Sequence, residues 1–275
     1  MDREREKEIA AGCRLHSDRI TPNSDGNNPT QIGKVVPAMA TVSEKGPPAS
    51  PESIIPPLET GDRLSRAEFE RRYTAMPELK RAELIEGVVY VPSPVRLRRH
   101  GRPHAHLVTW LGNYESATSC VIIADNATVR LDLDNEPQPD VVLFIDPTHG
   151  GQARIDPNDY VEDAPELVAE VAASSASYDL NIKLTVYRRN GVREYIVWRV
   201  LDRQIDWFVL RDGEFVRLPL DDAGLYRSEV FPGLWLDPAA LVRGDTQCVQ
   251  ATLQRGLASR EHADFVARLD PEAKP

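Results

Sequence analysis

Cysteine is scarce in this chain. Its three copies, Cys13, Cys120 and Cys248, lie far apart and form no CxxC pair. That spacing excludes a zinc ribbon and a disulfide framework, and it fits a reducing cytoplasm. No apolar run is long enough to cross a bilayer. The N-terminus, MDREREKEIAAG, is mixed in charge and lacks the apolar core of a signal peptide. The expectation is a cytoplasmic protein with no membrane partner. Positive charge is also short, since 33 Lys and Arg face 43 Asp and Glu for a net charge of −10. Such a deficit argues against indiscriminate coating of nucleic acid or anionic lipid, which needs a basic field. It leaves room for a local basic groove. Aromatic residues make up only 7% of the chain and offer no obvious platform for a sugar.

What is present suffices for one or two domains: 275 residues, 41% of them apolar. Residues 1–57 are rich in Pro, Asn, Ser, Gly and charge, and read as a disordered leader. Order is expected from about Leu64. Ser65 and Glu68 form a capping-box pattern, followed by Phe69, Tyr73 and Met76 at helical spacing. In AELIEGVVYVPSP, Gly87 marks a turn or bulge between two short strands. Leu107, Trp110, Leu111 and Tyr114 then share one helical face. CVIIA and TVRLDLD read as strands, the second with Val129, Leu131 and Leu133 inward. Tyr178 to Asn190 reads as a helix closed by Gly191. REYIVWRV, QIDWFVL and EFVRL form an antiparallel meander. The resulting organisation is an α/β (α+β) domain over residues 60–240 and a helical tail over 241–275, broken near Gly256.

The chain is organised around Pro137–Trp198. Asp140 opens the apolar run VVLFI, and Glu170 sits inside LVAEVAA. Both runs read as buried strands, where an ionised carboxylate is costly unless it is paired or binds a metal. Two such acids at neighbouring strand ends can converge on one cation. An all-oxygen set without His or Cys suits Mg²⁺ or Mn²⁺. Apposed carboxylates are expected to raise each other's proton affinity. Lys183, on the following helix, would place a positive charge beside a phosphate, and Glu86 is a further acidic group in an apolar setting. Plainer readings stand beside these. Asp140 can cap a turn, Glu170 can face outward from an edge strand, and Asp179 with Lys183 can form a surface ion pair. Arg96, Arg98, Arg99, His100 and Arg102 form the most basic patch, which contacts phosphates or is a solvated turn. Ser174 or Ser175 with His100 lacks a nucleophile-elbow motif, and His104 and His106 cannot share a helical face. Asp140 and Glu170 as a glycosidase pair would need no metal.

The ordered string ELIEG, SP and RHG before a helix, PDVVLFI, EVAASS and YDLNIKLTVYRRNGVREYIVW resembles the Uma-two family of restriction-endonuclease-like proteins, within the PD-(D/E)XK nuclease superfamily. The resemblance spans about residues 64–238. It implies a mixed sheet flanked by helices, with Asp140 as the PD aspartate and Glu170 as the acidic residue of the half-motif. Glu170-Val171-Ala172 lacks the usual strand lysine, and the resemblance assigns that role to Lys183. EVAASSAS also departs from the EVLSPST often found in the family. The expected activity is metal-dependent endonucleolytic hydrolysis of DNA. Mg²⁺ or Mn²⁺ would be held by Asp140, Glu170 and Glu86, and DNA by Arg98, Arg99, His100 and Arg102. A homodimer is expected, joined through the strands around Trp198 and Trp207 or through the tail. The alternative is a catalytically inactive nuclease-fold protein serving in DNA binding or assembly.

Overall fold

The computed structural model describes residues 55–92, 96–173 and 175–270. The expected leader lies outside the described residues up to residue 54. Packing starts at Leu58, before the expected Leu64, because Leu58 is buried against Phe69, Leu84 and Val89. Helix α1, Arg66–Thr74, begins as its cap predicts, with Ser65 Oγ accepting the Glu68 N–H at 3.4 Å. The reciprocal half of the capping box is missing, because the Glu68 carboxylate pairs with Arg71 and Arg72 at 2.7 Å. Strands β1, Glu83–Ile85, and β2, Val88–Tyr90, form a hairpin. Its two turn residues, Glu86 and Gly87, both have positive φ (52° and 69°), as a type I′ turn requires.

A π turn, Leu97–Gly101, leads directly into α2, Arg102–Glu115, which buries Leu107, Trp110, Leu111 and Tyr114 as its spacing predicts. Then come β3, Val121–Asp125, β4, Val129–Arg130, and β5, Val141–Ile145. The strand ends at Arg130, and the alternation read in TVRLDLD holds for Val129 and Leu131, which are buried, before it fails at Leu133. Asp132 Oδ1 accepts the Asp134 N–H at 2.9 Å and turns the chain, so Leu133 is 75% exposed rather than inward. Short strands β6, Arg154–Ile155, and β7, Val161–Glu162, precede β8, Leu167–Ala172. The predicted helix is one helical stretch of three parts: α3, Ala176–Tyr178, a π turn at Asp179–Lys183, and α4, Leu184–Arg189. It ends with Gly191 in the left-handed region. The Gly191 N–H donates to Arg188 O and the Val192 N–H to Tyr187 O, a Schellman closure. The meander follows as β9, Glu194–Arg199, β10, Gln204–Arg211, and β11, Glu214–Arg217. Strands β12, Tyr226–Arg227, and β13, Trp235–Leu236, and helices α5, Pro238–Arg243, α6, Thr246–Leu257, and α7, Arg260–Leu269, complete the described residues.

The main sheet has the order β11-β10-β9-β8-β5-β3, and only β8 and β9 run parallel. This is the mixed sheet flanked by helices that the motif string implies. One face packs Leu107 and Trp110 of α2 with Leu241, Val249, Leu253 and Phe265 of the last three helices. The other face packs against Val186 and Tyr187 of α4, and Val129 and Val161 of a smaller three-stranded sheet. The C-terminal helices are therefore part of the core rather than a tail. Helix α6 runs unbroken through Gly256, where a Cβ would stand 2.1 Å from Gly233 O. Glycine there permits close packing rather than a break. Because these helices pack in the same core as Trp198 and Trp207, which are 5% and 1% exposed, neither tryptophan offers a docking surface.

Glu194, at the start of β9, is fully buried and forms no ion pair among the described residues. Its carboxylate accepts the Ser228 hydroxyl and the Glu229 N–H, both at 2.7 Å. Burial pushes its carboxyl up to about 7, and these donors only partly offset that. The folded chain thus holds a proton that the unfolded chain releases near the ordinary value of 4.5. Stability from this group is complete below about pH 4.5 and is lost as pH rises through about 7. Thermal melts of Glu194→Gln should show a weaker decline between pH 5 and 7.5 than the parent. Parallel profiles would refute the assignment.

Candidate active site

Strand alternation builds the site. In β5, Val141, Leu143 and Ile145 face the first core, and Val142 and Phe144 face the second. Asp140 has the parity of Val142. In β8, Val168 and Ala172 face the second core, and Glu170 lies between them. The antiparallel ladder pairs Val141 with Ala169, so one step further sets Asp140 opposite Glu170. The Asp140 N–H donates to Glu170 Oε2 at 3.3 Å, and the Val171 N–H donates to Asp140 Oδ2 at 2.7 Å. Glu170 stands on a central strand and is 3% exposed, so the edge-strand reading fails.

The π turn of the helical stretch passes over this face. Lys183 Nζ donates to Glu170 Oε1 and Glu83 Oε1, each at 2.8 Å, and is 2% exposed. The surface ion pair with Asp179 is therefore not its role, and Asp179 is itself buried. Tyr187 adds a hydroxyl donated to Glu170 Oε1 at 3.1 Å.

Glu86 is not brought to the site. It occupies the first position of the type I′ turn, which projects its side chain into solvent, and it pairs with Arg189 at 2.7 Å. Glu83, three residues earlier on β1, is the glutamate of this hairpin that lines the cleft. The clue was in ELIEG itself. Glu-Gly before a strand marks a turn tip, so the first glutamate, in the strand, was the better candidate. Arg81 also went unnoticed. Its guanidinium donates to Asp140 Oδ1 at 3.1 Å, to Asn126 Oδ1 at 3.0 Å, and to Gln138 O. No periodicity singles out an arginine between a helix and a hairpin.

The basic segment divides. His100 Nε2 lies 3.2 Å from Asp140 Oδ1, and Arg96 and Arg99 line the cleft. Arg98 and Arg102 are exposed beside it without lining it. His104 contacts Asp125 at 2.7 Å, whereas His106 stacks on Trp198, so the two point apart as expected.

The cleft so formed has a volume of about 880 Å³. Its electrostatics separate the two strand acids. Burial alone would raise the Asp140 carboxyl, but His100, Arg81 and the Val171 N–H outweigh it and hold Asp140 well below the usual carboxylate range. Mutual repulsion therefore does not govern Asp140, contrary to expectation. It does contribute at Glu170. Burial pushes that carboxyl up to about 8; Lys183 opposes the rise, while Asp140, Asp179 and Glu83 add to it. Burial also disfavours the Lys183 ammonium, yet Glu170, Glu83 and Asp179 together hold its proton affinity well above the ordinary lysine value. The ammonium is thus charged, and burial, with a smaller contribution from the acidic neighbours, favours the protonated form of Glu170. Among the described residues, no three His, Cys, Asp or Glu side chains form a ready-made metal-ligand set.

A mixed sheet flanked by helices defines an α/β protein with a restriction-endonuclease-like fold. The chain belongs to the Uma2 family, described as "Putative restriction endonuclease", whose model matches residues 66–239. A solved structure described as "a putative nuclease belonging to DUF820", from Anabaena variabilis, aligns with a TM-score of 0.44 at 14% identity, covering 62% of this chain and 97% of that one. No curated protein matches.

Proposed function

We propose that this protein is a metal-dependent endonuclease that hydrolyses DNA phosphodiester bonds. The observation that carries the reading is the opposition of Asp140 and Glu170 on one sheet face, with Lys183 Nζ 2.8 Å from Glu170 in an open cleft. The donor chemistry fits a hard cation. Asp140, Glu170 and Glu83 offer carboxylate oxygens only, and all three line the one cleft. These three residues would hold Mg²⁺ or Mn²⁺. Bound there, the ion would supply Lewis acidity to a phosphate oxygen and acidify water at the site.

The remaining roles belong to the chain itself. Lys183 provides a fixed positive charge against the negative charge that grows on a phosphate in the transition state. Arg81 and His100 orient the Asp140 carboxylate. Arg96 and Arg99 are exposed and have no ion pair among the described residues, which suits contact with DNA phosphates, and Arg98 and Arg102 flank them. A homodimer would let two such clefts address both strands of a duplex; sedimentation showing monomer alone at micromolar concentration would remove that part. The test of activity is incubation of the full chain with supercoiled plasmid. Nicking or linearisation is expected with Mn²⁺ or Mg²⁺ and none with excess EDTA. Absence of cleavage under every divalent ion would leave a DNA-binding protein instead.

A further inference from the structure

One wall of the cleft is not explained by cutting alone. Tyr90, at the end of β2, and Tyr178, at the end of α3, both line it. Their ring centroids are 4.7 Å apart and the rings are inclined at 45°. Lys183 Nζ lies 5.6 Å from the Tyr178 ring centroid, which places this aromatic pair directly beside the reactive cluster. The Tyr178 hydroxyl is buried and has no hydrogen-bond partner among the described residues. Arg96 and Arg99 line the same cleft. In a chain of net charge −10, a cleft combining aromatic faces with unpaired arginines is the arrangement that binds an unpaired nucleotide. A base within a duplex is stacked on both faces and cannot offer one to a tyrosine, whereas an unstacked base can.

We infer that the cleft accepts an unpaired nucleotide, its base against Tyr90 and Tyr178 and its phosphates toward Arg96 and Arg99. The substrate class is then DNA with a single-stranded residue at the cleavage point, such as a strand end, flap or bubble. This inference rests on the nuclease reading and names its substrate.

The test measures binding of the full chain in EDTA, so that no cutting intervenes. Fluorescein-labelled dT15 and a 15-bp duplex are compared by anisotropy, and a strand carrying 2-aminopurine reports stacking. The strand should bind at least tenfold more tightly than the duplex, and 2-aminopurine fluorescence should be quenched on binding. Tyr178→Leu and Tyr90→Leu should each weaken strand binding by about fivefold or more, the range for loss of one base–aromatic stack, and weaken duplex binding by less. Tyr178→Phe should retain the strand preference. The 2-aminopurine signal needs no variant, so it stands even where a leucine protein fails to fold. Equal affinity for strand and duplex, or unquenched 2-aminopurine in the bound strand, overturns the inference and leaves the nuclease reading intact. No binding to either DNA overturns both.

Discussion

Asp140→Asn is expected to lower plasmid cleavage by about a thousandfold, while Glu86→Ala stays within about twofold of the parent. The first figure is the upper range for removing one charge-stabilising group from a preorganised site. Asp140 is the acid that stays ionised. Arg81, His100 and the Val171 N–H hold it well below the usual range, so it offers a permanent anionic oxygen. Asparagine keeps its shape and removes its charge. Glu86 has the same residue type as Glu83 and lies in the same hairpin, yet it pairs with Arg189 at the surface. The pair of variants therefore separates the geometry seen here from the one the sequence pattern implies. Retained cleavage in Asp140→Asn, or a large loss in Glu86→Ala, would break the assignment. Asp140→Ala should also melt lower than the parent in EDTA, because it strips Arg81 of its closest carboxylate.

Lys183→Met should be the most destabilising single change at the site. The methionine fills the space of the lysine stem but leaves Glu83 and Glu170 without the ammonium that both contact at 2.8 Å. Removing one partner of a buried ion pair costs about 3–5 kcal/mol. For a domain of this size that is a fall in melting temperature of about 10 °C. The deficit should stay level from pH 5 to about 7 and widen above about pH 8. Burial holds Glu170 neutral up to about 8 in the parent, and losing Lys183 raises its proton affinity further, so above pH 8 only the variant goes on losing stability. Adding Glu170→Gln to Lys183→Met should recover part of the loss at about pH 9, since no acid group then remains at that position. The measurement is a series of melts by circular dichroism from pH 5 to 9, in EDTA. A melting point within about 2 °C of the parent at pH 8 would show that Lys183 carries no such load.

Much of this protein was determined by sequence alone. Ser65, the apolar face of α2, the Gly191 closure and the three-strand meander follow from short-range rules of capping, periodicity and turn chemistry, and each stands where those rules put it. The same rules marked Asp140 and Glu170, because a carboxylate inside a Val- and Ile-rich run has no local partner. That the two acids share a face was not legible, since alternation sets parity within each strand but not which face each parity takes, and both strands are buried on both faces. Failures began where local pattern met a turn or a distant contact. Alternation in TVRLDLD continued on paper, but the Asp132 side chain turned the backbone first. The last helices read as a tail because sequence does not show that the sheet face beneath them, with Trp198 and Trp207, needs a cover. Only the tertiary structure decided the register that sets Asp140 opposite Glu170, and the approach of Lys183 to Glu83 across 100 residues. It alone decided the arrival of Arg81 at Asp140 and the choice of Glu83 over Glu86. The physical reason is the same in each case. Hydrogen bonds and ion pairs between distant segments are made only after the sheet and helices pack, and no local preference along the chain encodes which charged side chain will meet which.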